Sequence, residues 1–189
     1  TFVVSILKAH KVKPRDYRKQ ASVILSWVQD NIYYINEPRE RLQDPLYTLQ
    51  VGYGDCDDMV LLLGAMYTAI NLQFRFVLSG KNGGKLERWI EGQPMKNGNW
   101  SHIYLMVGIP PFNPKEWLFV EPTIKVPLGW DIVKAKGKIP MPELGNLGNL
   151  GNTPDDVVTL DDQGNYVLSP KTVGQKGLLM SITESLQED

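Results

Sequence analysis

Apolar residues fall at Val23, Ile24, Trp27, Val28 and Ile32 within a stretch from about Pro14 to Ile35. That i, i+3, i+4 spacing predicts an amphipathic helix begun through Pro14. A second helical pattern runs from Asp55 to Leu72, with Met59, Leu62, Leu63, Met66 and Ile70 on the apolar spacing. Asp57 and Asp58 fall in its first turn, where acids suit the helix dipole. Between the two, Asn36 to Gly54 is dense in turn formers and reads as an irregular connection that delivers the chain to Cys56. Phe74 to Leu78, Ile103 to Gly108 and Trp117 to Val120 are short β-branched or aromatic runs bounded by Gly, Pro and Asn, and they predict strands of one antiparallel sheet. The mostly polar, glycine-bearing segment Ser79 to Asn99 is expected to be a mobile loop over the sheet end. Helices first and strands afterwards give an α+β fold class.

The texture changes beyond Trp130. Leu144-Gly145-Asn146 is repeated as Leu147-Gly148-Asn149 and Leu150-Gly151-Asn152, a pattern that cannot pack a core and reads as a linker. Val157 to Leu160 and Tyr166 to Leu168 flank a polar turn and predict a hairpin. The expected organisation is one packed domain over residues 1–136 and a Gly/Asn-rich linker with a small extended appendage over 137–189.

Composition removes several function classes. Lys+Arg (20) nearly balance Asp+Glu (21) in a chain of 189 residues, so the excess positive field that draws a protein to nucleic acid is missing. The longest apolar stretch, Met59 to Ile70, is shorter than the ~20 residues a bilayer needs. No membrane span and no nucleic-acid partner are expected. Phe2 to Leu7 lacks the basic flank and small-residue cleavage site of a signal peptide. The chain starts at Thr1, which leaves a processed protein or a piece of a longer one as the expectation.

The single cysteine excludes an internal disulfide and draws attention to its surroundings. Gly54-Asp55-Cys56-Asp57-Asp58 is a polar, turn-rich helix start, unlike the apolar setting of a buried structural cysteine. A thiol attacks carbonyls as thiolate, which a helix N-terminus and a neighbouring imidazolium both favour. Of the two histidines, His10 lies in the basic stretch Lys8 to Lys13, which a solvated face explains. His102 opens the Ile103–Val107 strand, from where its side chain can reach a neighbouring helix. Glu121 ends the next strand, and adjacent antiparallel strands bring matching ends together. Cysteine, histidine and acid then occur in the order a cysteine triad needs on such an architecture, with Cys56 as nucleophile, His102 as base and Glu121 orienting the histidine. Gln50, six residues before Cys56, is a candidate oxyanion donor beside the Cys56 backbone N–H; a plain loop glutamine is the alternative. A metal site of Asp55, Cys56, Asp57 and His102 is disfavoured, because adjacent residues at a helix start rarely converge on one ion.

Three ordered segments carry a family resemblance. Gly54-Asp55-Cys56-Asp57-Asp58 with its helix and Phe74-Arg75-Phe76-Val77 resembles the Cys-helix-strand core of the transglutaminase-like superfamily of papain-like cysteine enzymes. Trp100-Ser101-His102-Ile103-Tyr104 resembles its histidine strand. Trp117 to Thr123 is similar to the strand that ends in Asp-Pro-Thr, with Glu121 in place of the aspartate. Asp44-Pro45-Leu46-Tyr47-Thr48-Leu49 and Pro127-Leu128-Gly129-Trp130 resemble segments of the transglutaminase-like proteins of tailed bacteriophages and prophages.

The resemblance implies an acyl-transfer enzyme acting on peptide or carboxamide bonds through a thioester. Whether water or an amine resolves that thioester stays open, as does a virion structural protein that keeps the fold with an idle site. The expected partners are a protein or peptide substrate and other virion proteins, with no cofactor and no metal. The expected location is the phage particle, with the bacterial cytoplasm as alternative.

Overall fold

The computed structural model describes residues 2–35, 42–135 and the backbone of 158–160 and 166–168. Helices α1 (Phe2–Ala9), α2 (Tyr17–Asn31), α3 (Pro45–Val51) and α4 (Cys56–Thr68) form the N-terminal half, with the two-residue strands β1 (Tyr33–Tyr34) and β2 (Tyr53–Gly54) between them. Strands β3 (Gln73–Asn82), β4 (Lys85–Ile90), β5 (His102–Ile109) and β6 (Glu116–Val120) follow and make one antiparallel sheet in the order β4-β3-β5-β6. The α+β class is therefore observed, as a curled antiparallel sheet with Cys56 at a helix start.

The core lies between the helices and one face of the sheet. Ile24, Leu25 and Val28 of α2 meet Val60 and Leu63 of α4 and Leu105, Val107 and Val120 of the sheet, all fully or almost fully buried. The alternation of β5 sends Leu105 and Val107 to the helices and Tyr104 to the opposite face. Val77 and Tyr104 are buried on that second face, outside the helical cluster. The apolar run at the N-terminus is spent here too. Val3, Ile6 and Leu7 of α1 are buried, and Phe2 packs edge-on against Trp27 with ring centroids 5.0 Å apart.

Three expectations are corrected. The connection before Cys56 is not irregular throughout, because Pro45–Val51 is helical. Asp44 caps it by accepting the Leu46 N–H at 2.9 Å, Pro45 stands in the first turn and Gly52 closes it with a left-handed backbone. The segment Ser79 to Asn99 is not a loop throughout either, because outside a two-residue turn only residues 91–99 lack regular structure. Strand β3 continues to Asn82 and returns as β4, with Asn82 paired to Lys85. Gly83 and Gly84 both take positive φ (56° and 80°), the backbone that a two-residue hairpin turn requires. Helix α2 also starts later than expected, at Tyr17, since Asp16 is its cap and accepts the Lys19 N–H at 3.2 Å.

Val158–Leu160 (β7) and Tyr166–Leu168 (β8) pair antiparallel, the hairpin expected there. The Leu-Gly-Asn repeat lies outside the described residues, as does the boundary placed after residue 136.

Candidate active site

Each of the three triad candidates reaches the site on a differently built element. Cys56 is the first residue of α4, and its N–H is among the donors that a helix start leaves without an intrahelical partner. A capping box fixes that start: Asp55 accepts the Asp57 N–H at 3.2 Å, and the Asp55 N–H donates to Asp58 Oδ2 at 3.3 Å. The other Asp58 oxygen accepts the Gln43 N–H at 2.7 Å, tying the fully buried carboxylate to the chain ahead of α3. Gly54 is needed at this point, because a Cβ there would stand 2.6 Å from the Asp58 Cβ.

His102 and Glu121 come from the sheet. The β5–β6 register sets Leu105 against Val120, which brings the start of β5 and the end of β6 together. There His102 Nε2 and Glu121 Oε2 are 2.6 Å apart. The second Glu121 oxygen accepts from the Thr123 N–H at 3.1 Å and the Thr123 hydroxyl at 2.7 Å, so both oxygens of a carboxylate only 2% exposed are satisfied. The longer side chain of a glutamate thus reaches the imidazole.

The Cys56 side chain shares a hydrogen bond with His102. With Nε2 committed to Glu121, Nδ1 is the ring nitrogen left for the sulfur. Burial disfavours the imidazolium, but the hydrogen bonds to Cys56 and Glu121 and the charges of both outweigh it, pushing the His102 pKa up from 6.5 to about 10. The ring also stacks on Tyr104, with centroids 5.8 Å apart and planes 16° from parallel. The structure therefore brings Cys56, His102 and Glu121 together. Gln50 lies exposed in the last turn of α3, with no hydrogen bond given to its side chain among the described residues.

The acids around Cys56 form a second feature. Asp55, Asp57 and Asp58 each place a carboxylate oxygen within 4.8 Å of the others. Hard oxygens of this kind suit Ca²⁺ or Mg²⁺. The convergent set is these three carboxylates, not the one with Cys56 and His102, which are engaged with each other. Burial, a hydrogen bond to Asp57 and the charges of Asp57 and Asp58 push the Asp55 carboxyl up to about 7, against the Asp58 backbone N–H that lowers it.

Several neighbours had no signal in the sequence. Tyr34, paired across from Gly54 in the parallel β1–β2 bridge, has its phenol pushed up first by burial and then by Cys56, Asp55, Glu121 and Asp57. On the second sheet face, Arg88 Nη1 lies 2.8 Å from Asp131 Oδ2 in a largely buried ion pair, and the Arg88 guanidinium sits 4.6 Å from the Phe119 ring centroid. That pair fastens the chain after β6 over Tyr104.

The family model of the transglutaminase-like superfamily matches residues 7–122, more than half of the chain and all three triad candidates. The chain belongs to the transglutaminase-like superfamily. A comparison with curated proteins finds no match. Among solved structures, this transglutaminase-like chain is similar to a candidate cysteine protease from Cytophaga hutchinsonii, at 16% identity and a TM-score of 0.42. The similarity covers 70% of this chain and 43% of that one, so the chain spans less than half of that protein's length. No helix among the described residues is long and apolar enough to cross a membrane.

Proposed function

We propose that this transglutaminase-like chain is a cysteine-dependent acyl-transfer enzyme acting on peptide or carboxamide bonds. The observation that carries the reading is His102 held between two partners, with Glu121 on Nε2 at 2.6 Å and the Cys56 side chain on its other side. With a pKa of about 10, His102 is an imidazolium at neutral pH, and an imidazolium beside sulfur favours the thiolate.

The thiolate attacks the carbonyl carbon to give a tetrahedral oxyanion. The Cys56 N–H donates to that oxygen, and the exposed Gln50 amide is the proposed second donor. Collapse breaks the C–N bond, and His102 gives its proton to the departing amine or ammonia. A thioester on Cys56 remains. His102, now neutral, takes a proton from the incoming water or amine, whose attack breaks the C–S bond and restores the thiolate–imidazolium pair. Glu121 stabilises the imidazolium in both half-reactions and fixes the ring orientation. A protein or peptide is the proposed substrate.

Hydroxylamine trapping tests the reading. A panel of glutamine-containing peptides should give ammonia release and a hydroxamate product that depend on Cys56, and Cys56→Ala should abolish both. Gln50→Ala should slow thioester formation about 10²-fold if its amide is the second donor. Hydroxamate formation unaltered in Cys56→Ala would contradict the assignment.

The proposed location is a phage particle. Its support is the resemblance of Asp44 to Leu49 and of Pro127 to Trp130 to phage-encoded relatives. Mass spectrometry of purified particles tests it, and absence of the chain from them would exclude it.

A further inference from the structure

The turn after β6 has few ways to satisfy its own backbone. Pro122 and Pro127 carry no N–H and the segment lies outside the ladder, so within the turn the Ile124 carbonyl accepts the Val126 N–H at 3.0 Å while others need a partner from elsewhere. Three of these carbonyls converge on a single atom. Gln29 Nε2 of α2 lies 2.9 Å from Glu121 O, 2.8 Å from Ile124 O and 2.9 Å from Val126 O. An amide nitrogen has two hydrogens, so three acceptors share two donors and the turn curls around the amide.

The support for Gln29 is rigid. It follows Val28, which has no exposed surface, and α2 packs into the main core through Ile24 and Leu25. Its next neighbour, Asp30, pairs with Lys125 of the same turn at the surface. One of the three carbonyls belongs to Glu121 itself, whose carboxylate meets His102.

We propose that Gln29 is a positioning residue for the site: its side-chain amide gathers the carbonyls of residues 121, 124 and 126 and so sets where the Glu121 carboxylate meets His102. The catalytic meaning of this inference rests on the cysteine-enzyme reading above. The anchoring itself does not.

The groups that face the His102 ring are Cys56 from α4, Glu121 from the end of β6 and Tyr104 from its own strand. The hydrogen bonds of Gln29 among the described residues go to backbone carbonyls and not to these side chains, so its route to the ring runs through the Glu121 backbone. Two near-isosteric replacements separate donation from packing. Gln29→Met keeps the volume and removes both donors, while Gln29→Glu turns an acceptor toward three acceptors.

The experiment is NMR titration of the His102 ring in each variant, run well below its melting temperature, beside the pH profile of Cys56 alkylation. Both variants should bring His102 down from about 10 by a unit or more, with Gln29→Glu the more severe. The acid limb of the alkylation profile should move up with it. Asp30→Asn, which removes only the exposed ion pair, should leave both profiles at wild type.

A folded Gln29→Met that loses thermal stability while His102 titrates as in wild type would overturn the proposal and leave Gln29 a packing residue. Should neither variant fold, the wild-type protein still decides. The Gln29 side-chain NH₂ resonances should shift with the His102 titration near pH 10 under the proposal, and stay flat through it if the proposal is wrong. An ordinary wild-type alkylation profile together with a His102 shift in Gln29→Met would sink the enzyme reading and keep the positioning role.

Discussion

The start of α4 and the joined ends of β5 and β6 supply the two halves of the site, and they are built on opposite electrostatic plans. At the helix start three like charges crowd together, held by backbone N–H groups, and Asp55 is pushed up to about 7. At the sheet end one imidazole lies between the Cys56 sulfur and a buried carboxylate whose every oxygen is satisfied. The helix start therefore sets a negative field, from which the Asp55 charge can be lost with modest effect, while the buried Asp58 holds the cap. The sheet end sets a geometry, which fails when a single partner is removed.

The largest effect should come from breaking that geometry. Glu121→Gln keeps the shape but removes the charge that stabilises the imidazolium. Thioester formation should slow about 10²- to 10⁴-fold, on the scale of triad acids. His102 should titrate well below about 10, a shift that NMR of the ring checks directly.

Gly54→Ala attacks the helix start instead. A Cβ 2.6 Å from the Asp58 Cβ forces the capping box apart. A loss of about 1–3 kcal/mol in urea unfolding is expected, the usual cost of overpacking. Because the damage lies at the other half, the His102–Glu121 contact should survive it.

The two halves also leave separate marks on stability against pH. Both folded-state pKa values are raised, so each group stabilises the fold in its protonated form. The Asp55 contribution is fully present below 3.8 and is lost as pH rises toward about 7. The His102 contribution is present below 6.5 and is lost as pH rises through about 10. Urea midpoints across pH 3 to 10 should fall in both windows. His102→Gln should remove the upper fall and Asp55→Asn the lower one. At pH 8, above that window, Asp55→Asn should be no less stable than wild type, since asparagine also caps helices and adds no charge beside Asp57 and Asp58.

The same contrast explains what could be read from the residues alone. Helix α4 was legible because apolar spacing and acids in the first turn agreed, and Cys56, His102 and Glu121 stood at the ends of elements that periodicity already marked. Helix α3 carried its signals as well, with Asp44 as cap, Pro45 in the first turn and Gly52 at the end. Seven residues with only Thr48 and Leu49 buried give too short an apolar stripe to outweigh a dense set of turn formers. Strand β4 was hidden because Lys85–Ile90 lies at the sheet edge with none of its residues fully buried, so its alternation is weak. Gln29 and the Arg88–Asp131 pair had no local signal at all. Their partners are distant in sequence, at 92 to 97 residues for Gln29, and only the fold brings them together.

The central claim is that Cys56 and His102 act as a charged pair, and the rate of Cys56 alkylation as a function of pH tests it without a known substrate. In the folded wild-type protein, alkylation should stay fast well below pH 7, and His102→Ala should restore the profile of an ordinary thiol, rising only near pH 8 to 9. A wild-type profile that already rises only there, and that His102→Ala leaves unchanged, would contradict the account.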